Sequence, residues 1–147
     1  MNKYESLKLE NQLCFPIYLC SRQIINEYTP VLNEIGLTYT QYIVMLYFWE
    51  YGDCNVKTLG EALMLDSSTL TPLLKKLEAK GLIKRQRSNK DERNLVLSLT
   101  EEGNLLKDKA LMVPQKVGKC LKLNEKDAID TYKLMYKILN NLNKGDE

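Results

Sequence analysis

Apolar positions recur at helical spacing along most of the chain. Leu13, Ile17, Ile24, Ile25, Tyr28, Leu32 and Ile35 trace one helical face, and Gly36 ends the run. Pro16 is tolerated only in a first turn, so this helix is expected to begin near Asn11 to Phe15. A second helix is expected over Thr40 to Tyr51, closing at Gly52. A third runs from Val56 to Leu63, with Leu59, Ala62 and Leu63 facing inward. The polar cluster Asp66-Ser67-Ser68-Thr69 then caps a helix that reaches Lys80 and stops at Gly81. Pro72 asks for a place near the start of that helix.

After Gly81 the period changes from helical to alternating. Leu82 to Arg87 and Asn94 to Leu99 read as two short strands, the second alternating at Leu95, Leu97 and Leu99. Ser88 to Arg93 forms the polar turn between them. Thr100 caps a helix that continues toward Pro114 and Cys120. Asn124, with Asp127 three residues on, opens a last helix whose inward stripe is Ile129, Tyr132, Met135 or Tyr136, Leu139 and Leu142. Three helices, a short turn, a helix and a hairpin, followed by two more helices, make a mainly α fold with a small β-hairpin wing. We read one domain over 1–147. Residues 37–100 form a winged helix-turn-helix core, with a recognition helix at about 66–80 and a wing at about 82–99. Residues 1–36 and 101–147 are left over as dimerisation helices, whose apolar stripes need a two-fold mate.

Composition narrows the class. The chain has 147 residues, 44% hydrophobic and 27% charged, as in ordinary globular proteins. Its start leads into no apolar signal-peptide core, and its longest apolar run, Ile43 to Trp49, is too short to span a bilayer. A cytoplasmic protein with no membrane role is expected, its four cysteines being thiols in a reducing compartment. Net charge is only +2, yet Lys75 to Arg93 holds eight Lys or Arg against three acids. One basic block on a nearly neutral chain points to a polyanion-facing surface.

That block coincides with the recognition helix and the wing. Ser67, Ser68, Thr69 and Thr71 are short enough to let a helix end sit deep in a major groove of double-stranded DNA. Lys75 and Lys76 lie further along and suit backbone phosphates. Arg85, Arg87, Lys90 and Arg93 on a narrow wing suit a minor groove. With no histidine in the chain, metal-ligand clusters and Cys–His catalysis have little support, and no phosphate loop or dinucleotide fingerprint occurs. Neither a cofactor nor a metal is expected, and the chain is not read as an enzyme.

The segment Leu65-Asp-Ser-Ser-Thr-Leu-Thr-Pro-Leu-Leu-Lys-Lys-Leu-Glu78, the wing Arg85-Gln-Arg-Ser-Asn-Lys-Asp-Glu-Arg93 and the exit Leu97-Ser-Leu-Thr-Glu-Glu-Gly103 resemble the MarR family of winged-helix regulators. The opening Glu10-Asn-Gln-Leu-Cys-Phe15 with Tyr18 and Tyr28, and Leu37-Thr-Tyr-Thr-Gln-Tyr42, resemble its organic hydroperoxide-sensing branch. The resemblance reaches to about residue 112, and Pro16 departs from its usual pattern. It implies a homodimeric repressor on a pseudo-palindromic operator, released by organic hydroperoxide. It also implies that Asp91 holds Arg93 for the minor groove.

A sensing cysteine must react as a thiolate and be reachable. Cys14 stands at a helix start, where the backbone supplies positive potential, and phenol groups can donate hydrogen bonds to a thiolate. The resemblance implies that Tyr28 of one subunit and Tyr18 of the other hold the Cys14 sulfur across the dimer. Cys14 would pass through a sulfenic acid, captured by Cys120 of the other subunit as a resolving cysteine or by a small cellular thiol. Cys20, six residues on and roughly 240° around the helix, should not pair with Cys14 within it. Cys54, in a loop before the third helix, is read as incidental. Two alternatives stay open: a regulator released by a small aromatic ligand in a dimer-region pocket, and a thiol peroxidase.

Overall fold

The computed structural model describes residues 2–87 and 95–145. Two short 3₁₀ turns, Glu5–Leu7 and Leu9–Asn11, lead into α1, Cys14–Asn33. Then follow α2 (Tyr39–Tyr51), β1 (Cys54–Asn55), α3 (Val56–Leu63), α4 (Ser67–Ala79), β2 (Ile83–Arg87) and β3 (Leu95–Leu99), and finally α5 (Glu101–Ala110), α6 (Met112–Leu121) and α7 (Glu125–Asn143). The fold is the expected one, mainly α with a small antiparallel wing.

Capping chemistry sets most of the helix starts. Thr38 and Gln41 form a reciprocal capping box at α2. Asn55, Asp66, Thr100 and Asn124 each accept a first-turn amide, at α3, α4, α5 and α7. Gly36, Gly52 and Gly81 adopt positive φ just beyond helix ends. Pro16 takes the third position of α1, where a missing amide costs nothing. Pro30 and Pro72 lie deeper, so the carbonyls of Asn26 and Ser68 lose their helical donors. Pro72 is therefore in the second turn of α4, not the first.

The core lies between α2, α4 and the sheet. Val44, Met45, Phe48, Leu59, Leu70, Leu74, Leu77, Ile83 and Leu97 are almost wholly buried. The sheet has three strands in the order β1-β3-β2, with Cys54 opposite Leu97 and Arg85 also in register with Leu97. This corrects two expectations: Cys54 belongs to a strand, and the wing is a hairpin with a third strand on its outer edge. Ala62, expected inward, is exposed, while Leu59 is buried and Leu63, with Val56, packs half-buried against the core. The helix after Thr100 is interrupted at Leu111, between α5 and α6. Pro114 cannot donate to the carbonyl of Ala110, so the two segments meet at a joint.

The start of α5 is packed without slack. Thr100 Oγ1 donates to the carbonyl of Gly81 at 2.6 Å and accepts the amide of Gly103 at 3.0 Å. Trp49 Nε1 of α2 donates to the carbonyl of Gly103 at 2.9 Å. A Cβ on Gly103 would overlap the carbonyl oxygen of Leu82. The Thr-Glu-Glu-Gly exit is thus a joint between wing and helix that admits no side chain at its fourth position.

Two helices stay largely outside this core. Only Val31 and Leu32 of α1 are buried, and no residue of α7 is. The stripe expected to face inward on the last helix is open instead: Ile129, Tyr132, Tyr136, Leu139 and Leu142 are all exposed. Leu7, Leu9 and Leu13 at the other end of the chain are exposed too. Apolar surface on this scale in a soluble fold marks an interface. Gly103→Ala is expected to cost about 1–3 kcal/mol by overpacking. At fixed protein concentration this appears as a melting temperature several degrees lower, whereas Gly145→Ala, with open space around it, leaves it unchanged.

Candidate sensor and nucleic-acid interface

The reading surface is built on α4. Asp66 Oδ1 accepts the Thr69 amide at 2.8 Å and the Ser68 hydroxyl at 2.7 Å. These hydrogen bonds, the one from Ser68 foremost, hold its carboxyl below the ordinary carboxylate range. Leu70, Leu73, Leu74 and Leu77 seat the helix on the core. The residues between them, Ser67, Ser68, Thr69, Thr71, Lys75 and Lys76, are all exposed on the opposite side. So the hydroxyl and lysine positions read from the sequence share one free face, but the Ser68 hydroxyl is already engaged by the cap.

Arg85 has a different engagement from the one expected. Its Nε and one terminal nitrogen donate to the two carboxylate oxygens of Glu78, at 3.1 and 3.0 Å. This two-point contact ties the first wing strand to the last turn of the reading helix, and Arg87 next along the same strand face is exposed. The hydrogen bonds from Arg85 hold Glu78 below its ordinary 4.5. A carboxylate depressed in the folded state contributes stability above its ordinary value and loses it as pH falls through the folded one. Lys90, Asp91 and Arg93, with the rest of the turn at 88–94, lie outside the described residues.

The candidate sensor begins at the first residue of α1. Cys14 is exposed, Leu13 before it offers no side-chain cap, and Pro16 brings no amide. The first-turn amides are thus left without a side-chain acceptor, the Phe15 amide bonding instead to the backbone carbonyl of Gln12 at 3.4 Å. Tyr18, four residues on, is exposed, with the guanidinium of Arg22 5.5 Å from its ring centre. Tyr28 is half-buried, its ring edge-on to Tyr39 at 4.9 Å and tilted against Tyr42 at 6.0 Å. Burial first, and Tyr39 second, push the Tyr28 phenol up, so it stays a donor. Tyr39 and Tyr42 were not singled out for this role. They fall in a stretch whose pattern fits the start of a helix, and nothing local says which aromatic they meet.

Distance along α1 decides how these groups can meet. Fourteen residues separate Cys14 from Tyr28, which is about 21 Å of helix. No tyrosine side chain bridges that, so within one protomer they stay apart. Cys120 is out of reach as well. Helix α6 packs on α1, with Lys116 Nζ 2.9 Å from Glu34 and the Cys120 thiol against Glu27. Glu27 is thirteen residues, about 20 Å, from Cys14, whereas a disulfide needs Cα atoms within about 7 Å. Burial, then Glu27, push the Cys120 thiol up, with Lys122 opposing.

The other two thiols differ from each other. Cys20 is exposed on α1. Cys54 is half-buried in β1, and burial together with Asp53 pushes it up to about 11. An open apolar groove of about 480 Å³ lies between α2, α5 and α6, lined by Tyr42, Leu46, Trp49, Leu111 and Pro114 with Lys107 at its rim. At pH 8 roughly one Cys54 thiol in a thousand is ionised. Iodoacetamide at that pH is therefore expected to label Cys20 at least ten-fold faster than Cys54, read by peptide mass mapping.

A family model described as the transcriptional regulators SarA/Rot matches residues 26–110. The organic hydroperoxide resistance transcriptional regulator of Bacillus subtilis is 44% identical over 97% of each chain. The regulator SarZ of Staphylococcus aureus is 46% identical over 94% of this chain and 88% of its own. Among solved structures, reduced AbfR of Staphylococcus epidermidis bound to DNA superposes with a TM-score of 0.78 at 34% identity, over 95% of this chain and 98% of that one. The disulfide form of AbfR gives 0.65 at 35% identity, over 95% and 93%. With relatives this similar over nearly its whole length, the chain belongs to the MarR family of winged helix-turn-helix transcriptional regulators, in the organic hydroperoxide-sensing branch.

Proposed function

We propose that this protein is a homodimeric repressor that binds a pseudo-palindromic operator while Cys14 is reduced and leaves it when an organic hydroperoxide oxidises Cys14. The observation that carries this reading is the placement of Cys14: exposed, at the uncapped start of a helix too long for Tyr28 to reach it from the same chain. A mate that covers the open faces of α1 and α7 brings a second set of phenols toward each Cys14. The curated relatives are a hydroperoxide resistance regulator and SarZ, and AbfR has been captured both on DNA and as a disulfide. The regulatory dimer is formed by residues 1–36 and 101–147, around a reading core at 37–100.

The chemistry runs in two steps. The Cys14 thiolate attacks one oxygen of the hydroperoxide, the O–O bond breaks, and the alcohol leaves after taking a proton, giving a sulfenic acid. The Cys120 thiol of the other subunit, or a small thiol, then attacks that sulfur, and water leaves as the S–S bond forms. Tyr18 and Tyr28 hold the sulfur before the first step by donating hydrogen bonds. Ser67, Ser68, Thr69 and Thr71 read or fit the major groove, Lys75 and Lys76 contact phosphates, and Arg87, Lys90 and Arg93, the last set by Asp91, serve the wing. Arg85 acts through Glu78 by fixing the angle of the wing against α4. The protein works in the cytoplasm, without a cofactor, and consumes hydroperoxide once per thiol instead of turning it over.

A closed disulfide brings its two Cα atoms within about 7 Å. Starting from about 20 Å along α1 in one protomer, the pairing has to be made between protomers, and forming it moves one dimer helix against another. Reading heads must stand about 34 Å apart to enter successive major grooves on one face of DNA. A displacement of several ångströms breaks that match. The groove between α2, α5 and α6 favours a second reading, in which a small aromatic ligand shifts the same heads.

Cumene hydroperoxide is expected to weaken binding of the reduced wild type at least a hundred-fold, measured by anisotropy at fixed salt on a duplex the protein selects from a random pool. Cys14→Ser is expected to bind that duplex normally and ignore the peroxide; a Cys14→Ser protein that still releases would sink the thiol reading in favour of the ligand one. Cys120→Ser should abolish the subunit-linking disulfide on a non-reducing gel, and normal release without it would assign the second step to a small thiol. Lys75→Ala should lower the salt slope of binding by about one unit.

A further inference from the structure

We propose that Lys80 is a positioning residue that ties the reading helix to the far end of the sensor helix, so that movement of α1 on oxidation is passed to α4. The inference deepens the redox reading above and rests on it. By sequence Lys80 belongs to the basic block that faces DNA. In the fold its ammonium turns away from that face and into the α1–α2 corner. It donates to the carbonyl of Gly36 at 2.5 Å and to Oε1 of Gln41 at 2.8 Å. Among the described residues, no other side-chain hydrogen bond joins α4 to that corner.

The corner is stiff on both sides of this contact. Gln41 is buried and is the N3 residue of the α2 capping box, its Oε1 also accepting the Thr38 amide at 3.1 Å. Gly36 stands at positive φ three residues past the end of α1, and the Leu37 amide bonds back to the carbonyl of Leu32. Lys80 itself is the C-cap of α4, its amide bonded to the carbonyls of Glu78 and Lys76. Its ammonium therefore connects the last turn of the reading helix to a carbonyl that rides on the end of the sensor helix.

Helix α1 can act as a lever on this point. Its buried residues, Val31 and Leu32, lie near its C-terminal end, with Tyr28 packed on the core a turn earlier. In its first half Cys14 is exposed, and Phe15, Ile17 and Leu19 are only partly buried. A pull at Cys14 then turns the helix about Val31 and Leu32, and the Gly36 carbonyl, four residues beyond that pivot, swings with it. The positive charge of Lys80 follows that carbonyl and carries the end of α4 with it. Glu78, two residues earlier on α4, holds the wing through Arg85, so the wing moves as part of the same unit.

The test compares wild type, Lys80→Met and Lys80→Arg on the selected duplex, reduced and after cumene hydroperoxide, with thiol titration to confirm that Cys14 oxidises equally in all three. Lys80→Met is expected to keep the fold, to bind the duplex within several-fold of wild type when reduced, and to lose at least ten-fold of the ratio between oxidised and reduced dissociation constants. Lys80→Arg, which keeps a cation long enough to reach Gly36, should retain most of that ratio. The salt slope should be the same for all three. A Lys80→Met protein with the wild-type ratio overturns the inference. So does one that loses a unit of salt slope and weakens equally in both states, which would make Lys80 a phosphate contact. If wild type shows no redox ratio, the redox reading itself fails and takes this one with it, an outcome told apart by the wild-type arm alone.

Discussion

A straight helix cannot bring its own distant residues together, and this single constraint organises the molecule. Cys14 and Tyr28 ride on one twenty-residue rod, α1, about 21 Å apart. Helix α6, which carries Cys120, lies along the same rod beside Glu27 and Glu34. Tyr28 and Cys120 therefore stay about 20 Å from Cys14 within one chain, whereas Tyr18 is one helical turn from it. The open apolar faces of α1 and α7 give a second copy the surface on which to bind. In the proposed switch, chemistry at Cys14 strains the contact between chains.

The reading head is built on the opposite principle, with its parts locked locally. Asp66 caps α4 and ties up Ser68, while four leucines press the helix into the core. Arg85 and Glu78 join the wing to the same helix at two points. Gly60 lets α3 and α4 close tightly, since a Cβ there would stand 2.8 Å from the carbonyl oxygen of Leu65. Gly103 does the same where the wing meets α5. A head this well fastened moves as one piece, which suits a switch that acts by changing where two heads stand and not how each is folded.

Polar contacts between the two regions are few and well placed. Trp49 reaches the Gly103 carbonyl, Lys107 reaches the Trp49 carbonyl at 3.2 Å, and Lys80 reaches the corner after α1. The two lysine links come from charged donors, which make stronger hydrogen bonds than the neutral Trp49 indole does, and all three are directional, so they resist relative sliding. Pro30 and Pro114 each remove one helical hydrogen bond near the same region, and Leu111 marks the break between α5 and α6. Stiff ties thus lie beside weakened turns, an arrangement that favours hinged motion.

Local chemistry made much of this legible from residue order. The period of apolar positions located the helices, the alternation at Leu95, Leu97 and Leu99 located a strand, and Asp66, Thr100 and Asn124 marked starts because a cap acts on amides only two or three residues away. Cys14 stood out because a thiol at a helix start is a local fact. What residue order left open were choices among distant partners. The two-residue strand at Cys54 exists only because β3 lies beside it, and Ala62 faces outward while Leu59, Val56 and Leu63 face the core from α3. Arg85, Lys80 and Tyr28 look like one more wing arginine, one more lysine of a basic run and one more aromatic of a stripe. Glu78, Gly36 with Gln41, and Tyr39 with Tyr42 gave them their actual neighbours. Periodicity and capping reach no further than a turn of helix, whereas the pairing of a long side chain is decided by whichever group the folded backbone carries to its tip.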